Sequence, residues 1–255
     1  MQVDWAAPWY APWRRPGEVV AGALAGGAAL HDALNAAGPA PVRFVPQEAL
    51  PPATAYEAFI QASGTCPVRP GLHDFFNGLV WLAFPQAKAA LNRLQAEEIA
   101  RGRVVRRGPV RDAITVFDEN GALLLAPAAL WQALRERAWR RLFVDLRPLW
   151  AQARLVIFGH ALLEQLAAPR KDLTAHVWCP GPALGPGADL DAWLAAQCRP
   201  DVLAAKPFTP LPVLGVPGWC AGSENFSFYD DSLVFRPRKT PEPITTTTSA
   251  GPARS

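Results

Sequence analysis

Three of the four histidines stand in short segments rich in other groups able to do chemistry: His73 in LHDFFNG, His160 in FGHALLE and His176 in LTAHVWC. Between the first two lies RDAITVFDENG, which supplies Arg111, Asp112, Thr115, Asp118 and Glu119. Imidazoles and carboxylates together serve two chemistries, capture of a divalent metal and general acid–base transfer near neutral pH. His160 and Glu164 are four apart and share a face if helical. Such a pair can supply two ligands to one metal, or the carboxylate can fix the ring's tautomer. His73 and Asn77 have the same spacing in a stretch that is apolar on most other sides, and a helix of that kind is buried. Buried polar groups need hydrogen-bond partners, so the groups on these two helices predict each other. The structural alternative is that Asp74 satisfies the helix start while His73 bonds a backbone carbonyl.

His176 shares a strand face with Thr174 and Trp178, and its structural alternative is a core histidine with a satisfied ring. His31 reads as surface. The chemical expectation is that His73, His160, Glu164 and His176 converge as metal ligands or proton carriers. Asp112 or Asp118 then positions water, and Arg111 completes the catalytic set. Asn77, Lys88 and Arg111 contact substrate, the two cations receiving its negative group. This describes a metal-assisted or acid–base hydrolase with a divalent metal as cofactor and an anionic, phosphate-containing small molecule as substrate. The competing reading is a binding protein that meets an anionic partner with an arginine-rich face, its His/Asp motifs being structural networks.

The elements that must position these groups are mostly helical. A Gly-interrupted helix is expected over 18–36, a Pro-rich connector over 39–52, a short helix over 54–63 and a turn at TCPVRPG. Helices follow over 72–84 and 86–100, broken at Pro85. Residues 109–125 admit a helix framed by Pro109 and Gly121, or two strands joined across DENG; the helix is preferred. A long helix is expected from Pro127 towards Trp150, a strand at RLVIFG, a helix at GHALLEQLAA and a strand at LTAHVWC. The fold expected is α+β, predominantly helical with a few short strands. It forms a single globular domain over 18–239, a Pro/Trp-rich arm over 1–17 packed on the body, and a disordered tail over 240–255.

Composition narrows the classes. Half of the 255 residues are hydrophobic and 18% are charged, which suits one well-filled core. A net charge of +3 demands no nucleic-acid partner. The runs RGRVVRRGPVR and RERAWRRLFVDLR read first as solvated faces, with nucleic acid the weaker reading. The four cysteines form no CxxC pair and no zinc-finger spacing. No stretch approaches the length and apolarity of a membrane span, and the apolar run after Arg14 and Arg15 is a weak match to an export signal, so a cytoplasmic location is expected. Walker, GxGxxG and GxSxG loops are absent from the sequence.

Taken in order, YEAFIQASG, LHDFFNGLVWLAFPQAKAALN, RDAITVFDENGALL, FGHALLEQL, TAHV, PFTPLPVLGVPGW and FYDDSLVFRP resemble the bacterial family called domain of unknown function 3025. The resemblance spans about residues 54–238. It implies a single-domain bacterial protein and brings no activity, cofactor or catalytic residue.

Overall fold

The chain ties its aromatic N-terminus into the core. In the computed structural model, which describes residues 3–102, 108–181, 184 and 187–238, Tyr10 and Trp13 are fully buried. Tyr10 Oη donates to the Leu163 carbonyl at 2.8 Å and the Trp13 indole to that of Ile157 at 3.1 Å. Each ring therefore contributes area and satisfies its polar end.

The expected helix over 18–36 is two, α1 (Arg14–Ala25) and α2 (Leu30–Ala37). Adjacent Gly26 and Gly27 break it, Gly27 taking a φ of +91° that a side chain disfavours. The connector over 39–52 and the TCPVRPG turn instead hold short strands, β1 (Arg43–Pro46) and, after α3 (Tyr56–Ser63), β2 (Thr65–Val68), paired in parallel. Local proline content concealed this pairing. Phe44 and Cys66, opposite each other, are both buried, and the Asn35 amide bonds both backbone groups of Phe44 at 2.8 and 2.9 Å.

Helices α4 (Leu72–Ala83) and α5 (Pro85–Arg101) meet at a corner where Pro85 opens the second helix, a position that needs no N–H. Residues 109–125 combine the two alternatives: α6 (Pro109–Asn120) passes directly into β3 (Gly121–Leu125). The helix preference holds up to Asn120, and LLL is strand because it pairs on both sides. The long helix expected after Pro127 stops early. α7 (Ala128–Glu136) ends at Arg137, which is left-handed, and the chain continues through a π turn at Arg141–Asp145 into a short 3-10 helix containing Pro148.

After β4 (Arg154–Ile157) come α8 (His160–Gln165), β5 (Thr174–Trp178), α9 (Leu190–Gln197), α10 (Pro200–Ala204) and β6 (Phe208–Pro212). The main sheet has the order β4-β3-β5-β6, with β3 antiparallel to β4 and parallel to β5. The architecture is α+β and mostly helical. No helix among the described residues is long and apolar enough to cross a membrane. The C-terminal tail and part of the first arginine run lie outside the described residues.

Candidate metal centre

Three helix ends meet over one cavity of about 400 Å³. His73 comes from the first turn of α4, Asp118 and Glu119 from the last turn of α6, and His160 is the first residue of α8. The backbone holds the last two ends together. The amides of Phe158 and Gly159 both donate to the Gly121 carbonyl, at 2.9 and 2.8 Å. Gly159 lies so close to α6 that a Cβ there would fall 2.5 Å from the Asn120 backbone.

The rings face each other. His73 Nε2 and His160 Nε2 are 3.1 Å apart, and Glu119 Oε2 is 3.6 Å from His160 Nε2. One ligand atom from each of His73, Glu119 and His160 fits within a span of 4.8 Å. The opposite side of each ring faces a further carboxylate. His73 Nδ1 is 3.0 Å from Glu164 Oε2, so it carries the proton and donates it. His160 Nδ1 faces Asp118, whose Oδ2 is 3.8 Å away. Burial, opposed by Asp118 and reinforced by Lys88 and His73, pushes the His160 pKa down to about 4, so the ring is neutral at pH 7. His160 Nδ1 itself is buried with no hydrogen-bond partner among the described residues. The two Nε2 atoms and the Glu119 carboxylate converge on one point.

The charges around that point are uneven. Lys88 is buried, stacks over Trp81 and donates to Asp118 Oδ1 at 2.6 Å. Burial raises the Asp118 pKa, but Lys88 and the two histidines outweigh it and hold the carboxyl below its usual value. Glu119 moves the other way, raised by burial and then by the negative charge of Asp118. Both acids sit at the C-terminal end of α6, where the helix dipole already favours positive charge and disfavours acids. Binding a cation would relieve all of these at once.

Of the residues marked in the sequence, His73, Asn77, Lys88, Asp118 and His160 line the cavity. Glu164 stands behind His73 and holds that ring, not the one on its own helix. Asp74 does not cap α4; it accepts from the Arg69 amide at 2.6 Å and from Arg69 Nε at 3.2 Å. Arg111, Asp112 and His176 do not line the cavity. Asp112 pairs with Lys206, and His176 lies half-buried in β5, its pKa lowered by burial and then by Lys206. His31 stands beside Asp32 at 3.5 Å.

Glu119 was not among the residues marked as ligands, although the preferred helix over 109–120 carries it on a polar flank. Its signal was available: consecutive acids in the last turn of a helix oppose the dipole. Asn92 and Gln95 were also missed, although Lys88, Leu91, Asn92 and Gln95 have the spacing of one helix face and all line the cavity. The amide oxygens of Asn77 and Gln95 are buried with no hydrogen-bond partner among the described residues. An unpaired buried group of this kind costs about 1–3 kcal/mol.

The family model described as "Protein of unknown function (DUF3025)" matches residues 42–239, and the chain belongs to that family. The matched span contains every residue of the His/Glu cluster. No curated protein and no solved structure matches the chain.

Proposed function

We propose that His73, His160 and Glu119 bind a divalent transition metal and that the protein is a metal-assisted hydrolase. The observation that carries this is the convergence of two imidazole Nε2 atoms and a carboxylate, with the far side of each ring turned to another carboxylate. Metal-bound histidines characteristically have such outer partners. The distances suit a common centre: with metal–nitrogen bonds of about 2.1 Å, the 3.1 Å separation subtends about 95°. Two histidines and one carboxylate leave coordination positions for water and substrate, and zinc so held turns its water into a nucleophile near neutral pH.

The chain's own groups supply the rest. Glu164 orients His73, Asp118 faces His160, and Lys88 neutralises Asp118 so that it does not become a fourth ligand. The anionic-substrate part of the sequence reading has less support, because Lys88 is already paired and Arg111 lies outside the cavity lining. The arginine-face binding reading is weakened in the same way: Arg141 pairs with Glu136 and Arg147 with Glu224.

A second reading rests on one distance. The 3.1 Å between the rings also suits an N–H···N hydrogen bond, and Glu164–His73–His160 then forms a proton relay without metal. Reconstitution separates the two. One equivalent of zinc retained per chain, lost in His160→Ala, supports the metal centre; no stoichiometric zinc, cobalt, manganese or ferrous iron after reconstitution sinks it.

A further inference from the structure

A second cleft lies away from the histidines, between the end of α7 and the start of β6. Its volume is about 760 Å³, within the range of small-molecule sites, and it shares no lining residue with the metal cavity. Three arginines line it: Arg135 in the last turn of α7, Arg137 directly after that helix, and Arg238 from far along the chain. None of the three is paired with a carboxylate among the described residues.

The lining gives these cations no free counter-charge. Its one acid, Glu136, already accepts from Gln132 at 3.0 Å and from Arg141 at 3.4 Å. Cys179 stands in the cleft as a neutral thiol, because burial, opposed by the Gly181 amide and Arg135, pushes its pKa up to about 11. The residues outside the described ones contain a single acid, Glu242, which balances at most one guanidinium of the three. A helix C-terminus favours cations, and that accounts for a charge at Arg135. It does not account for Arg137, whose φ of +53° is one that glycine adopts freely and a side chain resists. Three like charges sharing a cleft are offset by an anionic ligand, and a cationic or neutral one leaves them unbalanced.

A phosphate monoester suits three guanidinium groups, because it carries about two charges and three acceptor oxygens. The wall beside them is aromatic. Trp131 is half-buried and meets no other ring among the described residues, whereas Phe208 is held against Phe117 and Trp178. A free indole offers a planar ring a surface to stack on. We propose that this cleft binds a small phosphate monoester of a planar ring, with Arg135, Arg137 and Arg238 holding the phosphate and Trp131 the ring. The site stands whether or not the other cavity holds a metal.

Naphthyl phosphate, inorganic phosphate and naphthol separate head from ring, and titrating each into the full chain with chelator present keeps the other cavity free of metal. The ester should bind at least about tenfold more tightly than either part alone. Arg137→Gly removes the charge and suits the backbone, so ester affinity should fall by about tenfold while the urea midpoint stays level or rises. Arg238→Gln should weaken ester and inorganic phosphate alike, and Trp131→Leu the ester alone. Should Trp131→Leu fail to fold, the ester's advantage over inorganic phosphate decides the part of the ring. An ester no tighter than naphthol or than inorganic phosphate, or an affinity untouched by both arginine substitutions, would overturn the proposal. So would an equal loss on His160→Ala with chelator present, which would put the ligand in the metal cavity.

Discussion

Helix α6 presents two flanks with nearly the same inventory and opposite character. One carries Asp118 and Glu119 to the cavity, where they meet His160 and Lys88; the other carries Asp112 to Lys206, near His176 on β5. Each flank has a histidine below its usual pKa and a Lys–Asp pair. They differ in depth and in direction. The Lys88 and Asp118 side chains are 6% and 25% exposed, those of Lys206 and Asp112 51% and 44%. His160 turns its Nε2 to a second ring and a carboxylate, whereas His176 lies between Gly121 and Pro210 in the sheet. Residue types alone do not make a candidate site; convergence of their side chains does.

The sharpest way to break this contrast is to remove each histidine in turn. His160→Ala should lower zinc affinity by about 100-fold or more, since a ligand matters at least as much as the groups behind it, while His176→Ala leaves zinc affinity unchanged; competition titration against a chromogenic chelator reads both. Equal losses would erase the distinction between the flanks. The two lysines give the next largest difference. Lys88→Met strands a buried carboxylate and should cost about 3 kcal/mol in urea unfolding. Lys206→Met opens only an exposed pair and should cost less than about 1 kcal/mol.

Glu164→Gln probes the support behind His73. It should weaken zinc by about 10-fold to 100-fold with little change in stability, because Glu164 is 39% exposed and acts through the ring. Stability lost without any change in zinc affinity would reassign Glu164 to the fold. The smallest effect belongs to His176. Burial holds its folded pKa below the unfolded value, so the unfolded chain binds more protons as the pH falls below about 6.5. Its contribution to stability is present above that pH and lost as the pH falls through the folded pKa. His176→Gln should flatten the pH dependence of urea midpoints there, with zinc binding at pH 7.5 intact.

The helices around the site were legible because their signals are local: Pro85 and Pro109 at helix starts, apolar residues all round 75–81, and His73 and His160 marked by polarity in apolar company. Their mutual approach followed from the need of buried polar groups for partners. The rest depends on contacts distant in sequence. Glu164 shares a face with His160 on α8 yet bonds His73 on α4, a choice made by helix packing. The β1/β2 pair hides among prolines because its stability comes from Phe44 and Cys66 across the ladder. The switch from α6 to β3 directly after Asn120 is set by strands on either side of β3.

Gly159 carries no functional group, yet it sets how far His160 reaches. Its backbone touches Asn120 where any side chain would collide, so the spacing between the helix ends that carry Glu119 and His160 is fixed by main-chain contact. Glu119 and His160 stand on the two sides of that contact. On the metal-centre reading, an ion held by both would work as a latch: opening the α6–α8 junction would require releasing it, so the junction should become harder to open as free metal rises.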